Sequence, residues 1–182
     1  MKATKLFPCS AAVLVALIIT TLNSPAPIFM KYDGVDGEAN APGITNGVEL
    51  LSFSAGHSRS NTAPLPVLKD LVITKTLDKS SPKLAEACAS GQHFTKVELL
   101  CRKAGSTGTN NYYTVTLEDC FISSYSVSSG GSGSGGGGEP LPTESISFNY
   151  TKIEWRYEKQ DPAGVPTEPP VIGRWPPGSP VP

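Results

Sequence analysis

The stretch Asp70-Leu-Val-Ile-Thr-Lys-Thr-Leu-Asp-Lys-Ser-Ser-Pro-Lys-Leu-Ala-Glu-Ala-Cys-Ala-Ser-Gly91 decides how this chain is read. Leu71 to Leu77 is rich in β-branched residues and bounded by charge, as a half-buried strand should be. Ser80 or Ser81 then offers an N-cap, and Pro82 falls at the first helical position, where a missing N–H costs nothing. Leu84, Ala87 and Cys88 stand at i, i+3 and i+4, which is one face of a short helix. Gly91 closes it as the residue after the C-cap. A strand, a turn and a helix with a legible start and stop are therefore expected here.

Period-2 apolar patterning recurs on both sides of that unit. Ile28, Met30 and Tyr32 alternate along one strand, and Asp33-Gly34 and Asp36-Gly37 supply turns after it. Val97, Leu99 and Cys101 lead toward Tyr113, Val115 and Leu117, which reads as a hairpin around a Gly105–Asn111 turn. Two strands change parity within themselves. Val48 and Leu50 share one face while Leu51 and Phe53 share the other. Ile146, Phe148 and Tyr150 likewise give way to Ile153, Trp155 and Tyr157. Such a switch marks a β-bulge or sharp bend, the device by which barrels turn corners. The pattern favours a closed or strongly bent antiparallel sheet over a flat one.

Six blocks, in order, resemble the haemolysin-coregulated protein (Hcp) family, the tube protein of bacterial type VI secretion. The run ITKxxDxxSPKLxxACASGxH, from Ile73 to His93, carries the resemblance furthest. The others are Ile28–Glu38, Val48–Ser54, Val97–Gly105, Tyr113–Ser124 and Pro142–Tyr157, so that together the blocks cover residues 28–161. The resemblance implies a mainly β domain, a small antiparallel β-barrel with one short α-helix packed on its side. It also implies a homohexameric ring that can stack into a tube, a lumen able to carry effector proteins, and association with a spike protein. Charged residues near the strand edges, Asp78, Lys79, Lys83, Glu118, Asp119 and Glu144, are the expected subunit-interface residues.

Composition is consistent with one domain and two flanking segments. The 182 residues can bury a core, and the formal net charge of −1, with no long basic run, argues against nucleic acid as a partner. Residues 1–27 read as a secretory signal: Lys2 and Lys5 precede an apolar run from Ala11 to Ile19. That run is too short for a stable membrane span, which needs about 20 apolar residues. Export to the periplasm or beyond is therefore expected, with a cytoplasmic pool before secretion if the signal is not used. Such a segment departs from the family, whose tube proteins begin almost directly at the first strand. An exported binding module, outside any secretion tube, is the alternative reading. Residues 162–182 are Pro-rich and are expected to be extended or disordered, with Trp175 either a contact residue or a solvated bystander. Ser128 to Gly138 is a flexible Gly/Ser connection between strands, without a phosphate-binding signature.

No reaction is legible. The two histidines, His57 and His93, have no metal-ligand spacing, and no G-x-S-x-G elbow is present. No cofactor pattern is found. Glu118, Asp119 and Glu144 are the best carboxylates for acid–base work, and salt-bridging is the simpler role for them. Cys88, Cys101 and Cys120 fall on apolar positions and read as small buried hydrophobes, or as a bridged pair with one left over.

Overall fold

A computed structural model describes residues 26–62, 65–103, 110–129 and 141–178. Most of the expected signal segment, the Gly/Ser stretch from 130 and most of the expected Gly105–Asn111 turn lie outside the described residues. Eleven strands and one helix follow in order: β1 (Ile28–Tyr32), β2 (Ala39–Ala41), β3 (Ile44–Leu50), β4 (Ser52–Ser54), β5 (His57–Ser58), β6 (Val67–Leu68), β7 (Leu71–Thr76), α1 (Ser81–Ser90), β8 (His93–Cys101), β9 (Tyr113–Ser128), β10 (Thr143–Tyr157) and β11 (Val171–Trp175). The main sheet runs β2-β3-β1-β8-β9-β10-β7-β4, all antiparallel, and β11 pairs with β10 beside it.

With β2 set aside, the two ends of that path, β3 and β4, are halves of one strand. β3 pairs with β1, Ile28 opposite Leu50, and β4 pairs with β7, Ser52 opposite Thr74. Leu51 is the corner between them: its N–H donates to Thr74 O at 2.8 Å. Leu50 is buried and Leu51 is 57% exposed, which is the parity switch read from the sequence. The sheet thereby closes on itself as a small barrel. Met30, Val48, Leu71, Ile73, Phe94, Val97, Ile146 and Phe148 fill it. β2 is held against β3 by Gly37, where a Cβ would stand 2.2 Å from Gly47 O, so that only glycine fits.

The second parity switch is a paired kink in β9 and β10. Val115 and Leu117 point inward before it, Cys120 and Ile122 after it; Asp119 between them has φ +46°. On β10, Tyr150 and Ile153 are both buried and flank Thr151. A further bulge follows at Ser123, where the register moves from Phe148↔Ile122 to Ser147↔Ser124. The long strands thus bend together and cross from one wall of the barrel to another.

The helix starts at Ser81, which makes Pro82 its second residue, and Ser80 is the N-cap. The Ser80 hydroxyl does not cap the helix; it donates to Asp78 Oδ1 instead. Gly91 ends the helix in the left-handed region at φ +66°, with the Gln92 N–H reaching back to Ala87 O. Leu84 and Ala87 are buried against the barrel core, and Cys88 is half-buried.

One expectation is corrected here. Residues 171–175, read as part of an extended or disordered tail that packs no core, form β11 on β10, with Ile153 opposite Trp175 and Tyr157 opposite Val171. Prolines on both sides hid a strand five residues long. Trp175 is accordingly neither fully solvated nor free: it packs against the edge of the core.

Candidate functional surfaces

β7 carries Leu71, Ile73 and Lys75 with the same parity, so Lys75 points into the barrel beside two core residues. It is fully buried. Its ammonium meets Glu144 Oε1 at 2.5 Å, Asp78 Oδ1 at 2.9 Å, Thr76 O at 2.8 Å and Ser81 Oγ at 3.2 Å. The Ser81 hydroxyl donates to Glu144 Oε1 at 3.0 Å, and the Tyr125 hydroxyl donates to Glu144 Oε2 at 2.6 Å. Two opposite charges taken out of water are tolerable only when nearly every donor and acceptor is used in this way. The cluster ties β7, the turn before α1, β9 and β10 together. Burial, followed by the Glu144 carboxylate, pushes the Tyr125 phenol well above its ordinary range. Tyr32 shifts the same way, through burial first and then Glu144 and Asp78. Both phenols therefore stay neutral.

The six predicted interface residues divide unevenly. Glu144 belongs to that buried cluster and does not reach the surface of the subunit, and Asp78 is mostly enclosed within it. Its parity with Ile146 and Phe148 carried the signal, as did that of Lys75 with Ile73. Lys83 pairs with Glu86 on the exposed side of α1 at 2.7 Å, and the backbone N–H of Lys79 donates to Glu38 at 2.9 Å. Glu118 meets Lys152 at 3.1 Å across β9 and β10. Asp119 Oδ1 accepts from His93 Nδ1 at 3.0 Å on the outside of the kink. Glu118 stands opposite Lys152 near the middle of the β9–β10 pair and Glu144 opposite Val127 at its end, so Glu144 forms no acid–base pair with Glu118 or Asp119.

His93 opens β8, and His57 packs against Trp155 at a tilt, with 5.0 Å between ring centres. Among the described residues no three His, Cys, Asp or Glu side chains gather as metal ligands, and no helix is long and apolar enough to cross a membrane. Cys88, Cys101 and Cys120 are free thiols; burial pushes Cys101 to about 11 and Cys120 to about 12.

The outward side chains fall into two surfaces that sequence inspection did not separate. One consists of small hydroxyl groups in cross-strand rows. Ser52, Thr74, Ser145 and Ser126 form one row over β4, β7, β10 and β9. Ser54, Val72, Ser147 and Ser124 form the next, and Thr76, Thr143 and Ser128 a third. No charged residue interrupts them. The other surface, on β1, β8 and the far halves of β9 and β10, is a lattice of opposite charges. Lys31 stands opposite Glu98, Lys96 opposite Glu118, and Arg174 meets Glu154 at 2.7 Å. A shallow polar groove of about 440 Å³ lies across it, walled by Lys31, Lys96, Glu98, Arg156 and Glu158 among others.

The family profile described as "Type VI secretion system effector, Hcp" matches residues 29–157, which span the barrel from β1 through β10. The chain belongs to the Hcp family. It is 33% identical over 156 residues to the protein hcp1 of Pseudomonas aeruginosa, covering 81% of this chain and 93% of that one. The major exported protein of the same organism is 36% identical over 99 residues, or 54% of this chain and 58% of its relative. The crystal structure of Hcp1 from Salmonella typhimurium shares the fold at a TM-score of 0.68 and 24% identity, covering 82% of this chain and 93% of that one. Hcp is a secreted, structural protein of type VI secretion, and this chain has the Hcp barrel.

Proposed function

We propose that this Hcp chain is the structural subunit of a homohexameric ring in a type VI secretion system, that its rings stack, and that their lumen carries effector proteins. The observation that supports this most is the continuous family match over residues 29–157, which spans the barrel from β1 through β10. In this reading the hydroxyl surface of β4, β7, β10 and β9 faces the lumen. An uncharged face of short side chains holds a polypeptide by scattered hydrogen bonds and does not trap it by charge, which suits a conduit. Lys79, Lys83, Glu118 and Asp119, all at the surface, are the remaining interface residues of the proposal. A spike protein and effector cargo are the partners implied by the family.

A heterologous interface whose rotation closes makes a ring of fixed size, whereas one that does not close makes open filaments. Light scattering on the purified chain at several concentrations tests this. A species of about six subunits that persists on dilution supports the ring. A monomer at every concentration overturns it. The apolar run from Ala11 to Ile19 favours a second reading, an exported Hcp-like binding module outside a tube. A chain secreted equally well without the type VI machine, and found alone, would establish that reading.

A further inference from the structure

One edge of β10 is shared by two strands placed end to end. β7 pairs with residues 143–148, and β11 pairs with residues 153–157. The two partners are held very differently. Leu71, Ile73 and Lys75 of β7 are fully buried, whereas four of the five β11 residues are exposed and only Trp175 is partly covered. The segment leading into β11 is fastened independently. Lys103 Nζ clasps Gln160 O at 2.8 Å and Asp161 O at 2.7 Å, Thr167 N–H donates to Lys159 O, and Gln160 bridges Pro166. These contacts survive if β11 lifts away. A short strand with little buried apolar surface opens locally, at a small fraction of the free energy of global unfolding.

β11 also reads as a ligand matched to a site. Gly173 lies opposite Trp155, where an added Cβ would rest on the indole at 3.5 Å in ordinary van der Waals contact, so that glycine or alanine fits there. Arg174 reaches Glu154 at 2.7 Å, and Trp175 lies opposite Ile153 against the core edge. Pro169-Pro170 and Pro176-Pro177, which cannot donate to a ladder, confine the pairing to five residues. We infer that the 153–157 edge of β10 is a strand-acceptor site, occupied in cis by β11, that takes in trans an extended peptide presenting a small residue, a basic residue and an aromatic residue in succession. Main-chain bonds to the β10 edge supply the attachment, and Trp155, Glu154 and Ile153 select the sequence. This inference does not rest on the ring.

The test uses the full chain and a fluorescein-labelled peptide of residues 169–178, followed by fluorescence anisotropy. Trp175→Ala in the chain loosens β11 and leaves the acceptor residues in place. The peptide should bind this variant roughly tenfold tighter than it binds the unaltered chain, because the cis competitor is weakened. Adding Glu154→Lys should abolish that binding, and a peptide with Arg174→Glu should restore it. Arg174→Glu in the chain, which touches no core residue, is the second loosening variant if Trp175→Ala does not fold. Hydrogen exchange reports on the barrel throughout: β11 amides should exchange far faster than those of β8 and β9. The inference is overturned if β11 amides exchange as slowly as that core. It is equally overturned if a folded, loosened variant fails to bind the peptide, or binds it regardless of residue 154.

Discussion

The two halves of β10 put similar residues to opposite uses. From Thr143 to Tyr150, charge points inward and the outer face is hydroxyl: Glu144 is buried against Lys75, while Ser145 and Ser147 look out. From Lys152 to Tyr157, charge points outward: Lys152 meets Glu118 and Glu154 meets Arg174 at the surface. The division falls at Thr151, across from Asp119, where both strands exchange inside for outside. One carboxylate in the first half holds several elements together. Those in the second half are exchangeable decoration on a wall already built. Parity, and not the composition of the strand, decides which.

The sharpest way to break this comparison is to remove one charge from the first half. Glu144→Gln leaves Lys75 buried beside Asp78 alone and should cost about 3–5 kcal/mol, read as a lowered denaturation midpoint with an unchanged slope. Lys75→Met combined with Glu144→Leu should recover most of that loss, since a buried ion pair is often replaceable by apolar side chains of similar volume. A Glu144→Gln penalty below about 1 kcal/mol would mean that water reaches the cluster and that the two halves do not differ.

Alkali probes the same half more gently. The folded chain raises the Tyr32 and Tyr125 phenols above their ordinary value, so their contribution is fully present below about pH 10, the unfolded tyrosine range, and is lost as pH rises through the folded values. Stability should therefore fall steeply above about pH 10, and Tyr32→Phe with Tyr125→Phe should flatten that fall. An alkaline limb unchanged in the double variant would assign the loss to other groups.

Ser145→Lys tests the outer face of the first half. The stability of the isolated subunit should move by no more than about 0.5 kcal/mol, as for other surface changes. A ring lined by that face would gain one positive charge per subunit and should weaken at low ionic strength, recovering in about 1 M salt where screening is short-ranged. Salt-independent assembly of the variant would place the hydroxyl face elsewhere. Glu118→Gln, in the second half, should have the smallest effect. Its pair with Lys152 is partly exposed, so about 0–1 kcal/mol is expected, diminishing with salt.

Much of the barrel was legible because apolar alternation survives wherever one face of a strand is buried. Val97, Leu99 and Cys101 stand opposite Leu117, Val115 and Tyr113 as the hairpin pattern predicts, and both parity switches are real corners. The ionic cluster was readable in principle, since Lys75 continues the Leu71, Ile73 series and Glu144 precedes Ile146 and Phe148 by the same step. Without the register, charge at the end of an apolar series reads equally as a strand leaving the core. β11 was harder. Only five residues separate its flanking prolines, Gly173 interrupts the alternation, and its pairing depends on an edge that β7 vacates more than eighty residues earlier in the chain. The hydroxyl rows leave no trace in any single segment, because each row is assembled from three or four strands whose register is a tertiary property.

Lys75 and Glu144 are direct cross-strand neighbours on β7 and β10. Sliding one strand by a single residue would turn Glu144 outward and Ser145 inward, leaving a lysine in the barrel with its main counter-charge gone. The correct alignment is thus separated from its nearest competitors by several kcal/mol at that one position, on the order of what a missing partner costs a buried charge. The pair acts as a proofreading device during sheet assembly. Swapping it for apolar residues should yield a chain of nearly the same stability yet slower to settle on one alignment, visible as doubled amide signals for β7 early in refolding.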